Sequence, residues 1–309
     1  KFAQAEAYYR ASVEAGRETF DGQPYFAVLM DYSAQFLTRR GKFDEAKQLL
    51  DAALHLRRET LGESNGFTAA TYLYLAEVEI GRGRLEHAKP LLDKSLAILA
   101  AVDNPAMEPV EARAFATAAR LYLANDQMPE YHRICGQMKE RLGHSEDSQS
   151  ASLLAWVCAL APSDPADLEI PISAATRAVE ILRNAPNVAA LAAAHLQAGD
   201  AQRAVKLLGD VRGLRPSGRT NAENLLAVMA TLAAGNVEGA TALLEKTEQS
   251  IRQISLVLDG QPDNAAAKVS GELPILSPSE RLELEFLLAE AKDQLESAAR
   301  TQGTASGLD

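Results

Sequence analysis

The chain is poor in aromatic residues, in cysteine and in long apolar runs. Aromatic residues make up 6% of its 309 residues, with one Trp, and there are only two cysteines. No run approaches the roughly 18 apolar residues that a transmembrane helix needs, and no secretory signal peptide opens the chain. We therefore expect no direct membrane insertion and no disulfide-rich secreted scaffold.

Clusters of basic residues are missing as well. Lys and Arg number 31 against 42 Asp and Glu, which gives a formal net charge of −11. The isoelectric point is about 5.1. Such a surface repels phosphate backbones and anionic lipid. We therefore expect no nucleic-acid ligand.

The sequence also lacks the patterns of catalytic and metal sites. None of the five histidines has a partner at metal-ligand spacing, and HExxH, GxSxG and P-loop motifs are absent. Carboxylate groups such as Asp44-Glu45 have the spacing of solvated helix faces. The sequence thus predicts no catalytic residue, no cofactor and no metal site, and an enzyme is the least favoured hypothesis.

The two cysteines, Cys135 and Cys158, lie in helical patterns beside apolar residues and belong to no CxxC motif. This setting favours two buried free thiols in a reducing compartment, and hence a cytoplasmic location. A disulfide between them is the alternative. His132, three residues before Cys135, would share a helix face with it, so a thiolate–imidazole pair is a further, weaker alternative.

Alanine and leucine dominate the apolar residues that are present, and two segments rich in them repeat. GKFDEAKQLLDAALHL begins at Gly41 and GRLEHAKPLLDKSLAI begins 42 residues later at Gly83. A further copy, KFAQAEAYYRASV, opens the chain. GDAQRAVKLL at Gly199 and GNVEGATALL at Gly235 repeat the pattern at a spacing of 36. Alanine and leucine favour helices, and a period of 20 to 50 residues indicates a solenoid.

The residue types at these positions have a geometric reason. Glycine supplies a positive φ at a turn between two helices, and the small alanine five residues later lets the paired helices approach closely. Apolar residues then recur at helical spacing along the second helix. One helix pair cannot bury that stripe alone, so neighbouring pairs must cover it.

These residues resemble the tetratricopeptide repeat family. Tyr72, Leu75 and Ala76 stand where that family places its large, Leu and small residues, and RRETLGES at residues 57–64 is similar to the kinesin-light-chain subtype. The resemblance covers residues 1–103 and 186–250. It implies an all-α fold, a right-handed α-α superhelix of antiparallel helix pairs.

The pattern predicts six segments along the chain. Gly- and Pro-rich residues near 258–279 read as a loop, and Ser279 is the expected N-cap of the helix that follows. The predicted segments are kinesin-light-chain-like repeats (1–103), divergent helix pairs (104–185), further repeats (186–257), the loop (258–279), a terminal capping helix (280–300) and a disordered tail (301–309). Pro162, Pro165 and Pro186 are expected to end helices. The first residue, Lys1, suggests a fragment of a longer protein.

A second resemblance covers residues 129–298 and is to the C-terminal repeat region of large bacterial serine/threonine protein kinases. The matching residues are Tyr131, Arg133, Cys135, Trp156, Cys158, Pro162, Arg281, Leu282, Glu283, Leu284, Glu290 and Ala291. The chain departs from that pattern near Ser279, where the group has Trp, and has Leu-Ala in place of Arg-Arg. The resemblance implies an upstream kinase domain, in a parent that could be membrane-anchored. The kinase motifs themselves are absent from this sequence.

First helices of such pairs line the inner face of the superhelix, which receives extended peptides in the family. Tyr32, Tyr74, Tyr25 and Tyr72 lie on these predicted helices, and Tyr32 and Tyr74 are 42 residues apart. They are the candidate groove residues for a protein or peptide partner, with inter-repeat packing as the alternative. Peptide-binding members often carry Asn at this position, so a carboxylate clamp is not expected. A second hypothesis is a structural spacer or self-association element with no dedicated ligand.

Overall fold

The computed structural model describes residues 2–20, 22–102, 104–161, 165–215, 218–258 and 276–305. Within these ranges the regular structure is helical and contains no strand, as predicted. The helices are α1 (Phe2–Phe20), α2 (Pro24–Arg39), α3 (Phe43–Thr60), α4 (Gly66–Gly81), α5 (Leu85–Ala101), α6 (Glu108–Ala124), α7 (Met128–Leu142), α8 (Ser148–Cys158), α9 (Glu169–Ile181), α10 (Ala185–Gln197), α11 (Ala201–Leu214), α12 (Asn221–Ala233), α13 (Val237–Leu258) and α14 (Pro278–Ala305). None of the helices in the described part is long and apolar enough to cross a membrane.

The chain divides into two compact units. The first holds α1 to α5, the part of α6 that ends at Leu121, and residues 276–281 of the described chain. The second holds the rest of α6, helices α7 to α13 and the remainder of α14. Consecutive helices pack against each other in both units: α1 to α5 form one such series and α8 to α13 another.

Glycine turns join the helix pairs, as the repeat pattern predicts. Gly41 and Gly83 have φ of 74° and 70°, a region that favours glycine. In the first turn the backbone N–H of Lys42 donates to the Leu37 carbonyl at 2.9 Å, and Arg84 makes the same bond in the next repeat at 2.8 Å. These bonds satisfy carbonyl groups at the end of the first helix of each pair.

Small residues sit where paired helices meet. Ala46, Ala88, Ala204 and Ala240 occupy the same position after successive glycine turns, and all four are fully buried. Their burial confirms that each second helix approaches its neighbour at the alanine. The apolar stripe of α3 continues from Ala46 through residues such as Leu50, which is also fully buried.

The turn between α6 and α7 uses no glycine. Asp126 takes a positive φ of 53°, and the next backbone N–H, from Gln127, donates to the Tyr122 carbonyl at 2.9 Å. Asp is one of the few non-glycine residues that tolerate this conformation. The divergent middle therefore contains four helices, α6 to α9, and among these α8 and α9 pack against each other as expected.

The structure corrects two expectations about proline. Pro186 does not end a helix but lies in the first turn of α10, after the N-cap Asn184. Pro165 lies at the start of a short 3₁₀ helix, and Pro162 falls outside the described residues. Proline suits a first turn because its missing N–H would have no acceptor there.

The terminal helix begins earlier than predicted, at Pro278. Ser277, and not Ser279, is its N-cap: the Glu280 carboxylate accepts from the Ser277 N–H at 2.6 Å, and the Glu280 N–H donates to the Ser277 hydroxyl at 3.3 Å. This reciprocal pair is a capping box. Ser279 is thereby left to bond elsewhere. The helix continues to Ala305, and most of the predicted loop 258–279 falls outside the described residues.

Candidate peptide groove

Three helices of the first unit present polar and aromatic side chains to one recess, which we call the groove. Gln35, Thr38 and Arg39 come from α2, Tyr74 and Glu77 from α4, and Arg113 from α6. Gln35 and Glu77 are 42 residues apart, as Tyr32 and Tyr74 are, so the repeat itself brings them to equivalent places. Residues Ser277 and Pro278 line the same recess, which retains a free volume of about 20 Å³.

Arg113 links the side chains of the other two helices. Its guanidinium donates to the Gln35 side-chain oxygen at 3.2 Å and lies 5.3 Å from the centre of the Tyr74 ring. Burial raises the pKa of Tyr74, with the positive charge of Arg113 opposing that effect. Tyr74 is therefore neutral and half-buried, and the Arg113 guanidinium makes a cation–π contact with its ring.

Glu77 is the buried carboxylate of the groove, with 8% of its surface exposed. One oxygen accepts from the Thr117 hydroxyl at 3.0 Å and from the Ser279 hydroxyl at 2.6 Å. The other accepts from the Ser279 backbone N–H at 3.1 Å. A buried carboxylate needs such donors, because an unpartnered one would carry a large desolvation penalty.

A second carboxylate approaches the groove on the terminal helix. Burial alone would raise the pKa of Glu280, but the positive charges of Arg120 and Arg39 and the hydrogen bond from Ser277 bring it below its ordinary value of 4.5. The guanidinium of the next residue, Arg281, donates to the Arg39 carbonyl at 3.0 Å. The recess and the first turn of α14 beside it therefore contain both acidic and basic groups.

The four tyrosines that the sequence selects lie in different environments. Tyr32 is 61% exposed, and Tyr25 is exposed with its ring edge-on to Phe20 at 5.4 Å. Tyr74 lines the groove. Tyr72 is only 2% exposed and so offers a peptide no surface. The peptide-groove assignment stays a prediction for Tyr25, Tyr32 and Tyr74.

Tyr72 belongs instead to an ionic cluster between α3, α4 and α5. Its hydroxyl donates to Glu63 at 2.5 Å, and the Lys94 ammonium lies 4.7 Å from the ring centre. Hydrogen bonds from Lys94, Tyr72 and Arg58 lower the pKa of Glu63 to about 2. These bonds and the cation over the ring tie α4 to α5 and to the end of α3.

Sequence reasoning missed Gln35, Glu77 and Arg113. A signal was available for the first two, because polar residues recur at the same repeat position inside otherwise apolar helices. Arg113 lies in the divergent segment that follows residue 103, where the repeat pattern gave no alignment to α2 and α4. The groove is thus more polar than a row of tyrosines would make it.

A larger cavity of about 260 Å³ lies between α1, α2 and α3. Its rim carries Glu6 and Arg10, whose side chains pair at 3.1 Å, and Glu6 also pairs with Lys42. The hydrogen bonds from Lys42 and Arg10 outweigh burial and lower the pKa of Glu6. The charges of Glu6, Arg10 and Lys42 therefore satisfy one another beside this cavity.

The two cysteines are buried free thiols, as expected, and form no disulfide. The Cys158 thiol lies 3.9 Å from the Cys135 carbonyl oxygen. The neighbouring Cys135 thiol and burial raise the pKa of Cys158 well above its ordinary value. Within the described ranges, no three His, Cys, Asp or Glu side chains come together as metal ligands would.

In comparisons with known proteins, residues 25–101 match the sequence model of the tetratricopeptide repeat family. This range covers α2 to α5. No curated protein matches the chain. Among solved structures, a kinesin light chain of Podospora anserina with nearly identical TPR-like repeats is 22% identical, covering 78% of this chain and 99% of that one, with a TM-score of 0.43.

Two other structures cover more of the chain at lower identity. The APC/C hetero-tetramer Cut9-Hcn1 is 10% identical over 93% of this chain and 46% of that one, with a TM-score of 0.52. Yeast Tom70 is 11% identical over 97% and 59%, with a TM-score of 0.39. The first of these two supports the fold alone. Together with the helix pairs and their glycine turns, it confirms the predicted all-α repeat fold.

Proposed function

Because residues 25–101 match the tetratricopeptide repeat family, we propose that the chain is a non-catalytic protein-interaction module. The groove between α2, α4 and α6 is the binding site, and a peptide segment of a partner protein is the ligand. The observation that carries this proposal is the convergence of Gln35, Glu77 and Arg113 beside the Tyr74 ring. The recess combines hydrogen-bond donors, an acceptor and an aromatic face. A peptide suits it because its carbonyl groups, N–H groups and side chains can bond to or pack against each of these.

The exposed tyrosines extend this site. Tyr32 occupies on α2 the position that Tyr74 occupies on α4, and most of its ring is free. Tyr25 and its repeat equivalent Phe67 are also exposed, at the starts of α2 and α4. Tyrosine supplies a large contact area for little loss of side-chain entropy, so these rings are suited to hold a ligand at the edge of the groove.

The test is a pull-down with the purified chain and its Tyr32→Ala and Tyr74→Ala variants. Tyr8→Ala is the matched control, since Tyr8 is an exposed tyrosine of α1 that lines neither the groove nor the cavity. We expect the two groove variants to lose partners that the parent and the control retain. Equal capture by all four proteins would refute the groove assignment.

Self-association is the second candidate function, and one observation favours it. Ile181 and Leu182, at the end of α9 in the second unit, are each about half exposed (52% and 51%). Adjacent exposed apolar side chains favour contact with another apolar surface. Sedimentation velocity of the parent and of an Ile181→Lys variant decides the matter: a concentration-dependent dimer that the substitution abolishes would support it.

We further propose that the chain is the C-terminal part of a bacterial serine/threonine protein kinase that works in the cytoplasm. The resemblance of residues 129–298 supports this. The segments that carry the resemblance also meet in the fold: Tyr131 donates to the Val157 carbonyl at 2.8 Å, and the Trp156 indole N–H donates to Glu283 at 2.8 Å. Sequencing the complete reading frame tests it, and a frame without kinase motifs would refute it.

A further inference from the structure

A segment of the chain itself occupies the groove. We call residues 277–281 the internal segment. Pro278 and Ser279 are buried, and Ser279 has 0% of its surface exposed although it begins the long terminal helix. Its two bonds to Glu77 join residues 202 positions apart in sequence. The recess that remains beside it holds about 20 Å³, room for roughly one water.

The internal segment binds to the groove through the N-terminal turn of α14. Ser279 is the second residue of α14, so its backbone N–H has no acceptor within the helix. Glu77 supplies that acceptor and also receives the Ser279 hydroxyl. One residue later, the Glu280 carboxylate lies in the field of Arg39 and Arg120. The groove therefore suits the start of a helix that carries a hydroxyl residue followed by an acidic one. The hydroxyl bonds to Glu77, and the acid lies near Arg39 and Arg120.

We propose that the internal segment is a built-in competitor for the groove, and that a partner binds by displacing it with a segment of the same chemistry. That segment is the start of a helix, carrying serine or threonine where Ser279 lies and glutamate or aspartate where Glu280 lies. This inference rests on the proposed function. Displacement is required because the 20 Å³ beside the internal segment cannot admit a second chain.

The energetics suit a reversible contact. The bonds between Ser279 and Glu77 are polar, and on release both partners bond to water, so the net stabilisation from each is small compared with an apolar core contact. The tethered segment nevertheless competes strongly, because an intramolecular ligand acts at an effective concentration of about millimolar. A weak ligand in trans will thus bind only when the internal contact is weakened.

The first experiment measures whether the segment is docked in solution. Amide hydrogen exchange at Ser279, followed by NMR in the full chain, should be slow, whereas first-turn amides ordinarily lack an acceptor and exchange fast. Glu77→Gln should speed that exchange at least about tenfold, because the carboxylate that accepts both bonds is lost. Glu79→Gln is the matched control: it removes another buried α4 carboxylate, one that pairs with Arg82 at 3.3 Å and does not contact Ser279.

The second experiment measures competition. A fluorescent peptide of residues 276–287 is titrated into the full chain and into its Ser279→Ala variant, whose internal segment lacks the hydroxyl donor. We expect the variant to bind the peptide about tenfold more tightly than the parent does. A peptide with alanine in place of serine at position 279 should bind the variant about tenfold more weakly than the original peptide. Circular dichroism checks that each variant is folded.

The outcomes separate this inference from the proposed function. Equal peptide affinity of the parent and Ser279→Ala chains would overturn the inference, and so would fast exchange of the Ser279 amide in the parent. Either result leaves the capture of partners through Tyr32 and Tyr74 untouched. Conversely, if peptide competition holds while those tyrosines prove irrelevant to capture, the internal competitor stands and the proposed function fails.

Discussion

A buried ion pair in the first unit allows a sharp test of how the repeats tolerate charge. Arg57 on α3 and Asp31 on α2 are 2% and 5% exposed, and the Arg57 guanidinium bonds to the Asp31 carboxylate and to the Thr71 hydroxyl. Burial raises the pKa of Asp31 from 3.8 to about 6, with the charge of Arg57 opposing the rise. Asp31 therefore contributes stability that is fully present below pH 3.8 and is lost as the pH rises through 6.

The perturbation is Arg57→Met, which keeps the length of the side chain and removes its charge. Without the guanidinium the pKa of Asp31 rises further, so the variant keeps Asp31 protonated where the parent ionises it. Above about pH 6 the variant therefore loses stability relative to the parent as the pH rises, by on the order of 1 kcal/mol per pH unit. We expect this difference to grow steadily from pH 6 to pH 8, in addition to a pH-independent loss of the Arg57 hydrogen bonds. The ceiling is the roughly 3–5 kcal/mol of breaking a buried pair.

Urea unfolding followed by circular dichroism at pH 6, 7 and 8 provides the assay, and this range stays above the isoelectric point of about 5.1. The double variant Asp31→Asn with Arg57→Met is the control, since it has no carboxylate to titrate and its difference from the parent should not grow in this way. Trp156 is the only tryptophan and lies in the second unit, so its fluorescence reports that unit separately. Parallel pH profiles for the parent and Arg57→Met would refute the reasoning.

Two further substitutions test packing. Gly81→Ala should destabilise the chain by about 1–3 kcal/mol in urea unfolding, because the added Cβ would lie 2.2 Å from the Phe43 ring. Gly136→Ala is the control: Gly136 lies in a helix with open space around it, so this substitution should be neutral or stabilising. Glu283→Leu should cost about 1–3 kcal/mol and shift the fluorescence maximum of Trp156, because the indole N–H loses its acceptor at 2.8 Å; an unchanged spectrum would contradict that bond.

The parts of the fold that repeat were predictable, because local chemistry determines them. Gly41 and Gly83 are needed for the left-handed turns that the structure contains, and Ala46 and Ala88 for the close helix contacts. The turn at Asp126 was not predictable from that pattern, since asparagine and aspartate adopt positive φ only at some positions. Pro186 was misread because proline both follows helices and begins them.

The groove was predictable only in part. A helical period shows which residues share a face, but Tyr72 and Tyr74 are two residues apart and lie on different faces. The first is buried in an ionic cluster and the second lines the groove. The contact between Glu77 and Ser279 could not be inferred at all, since no period relates them and nothing in one sequence tells which distant segments meet.

The net charge of −11 says little about what the groove accepts. Exposed charges farther away than about 10 Å are screened at ordinary salt, whereas buried neighbours act almost unscreened. The groove holds one buried acid, Glu77, with Arg39 and Arg113 lining the same recess. Glu280 shows the consequence, because its pKa stays below the ordinary value in spite of burial and the acidic chain around it. An acidic protein can therefore bind the start of a helix that carries a glutamate. The few charged groups that contact the ligand determine which ligand the groove accepts, and the net charge of the chain does not.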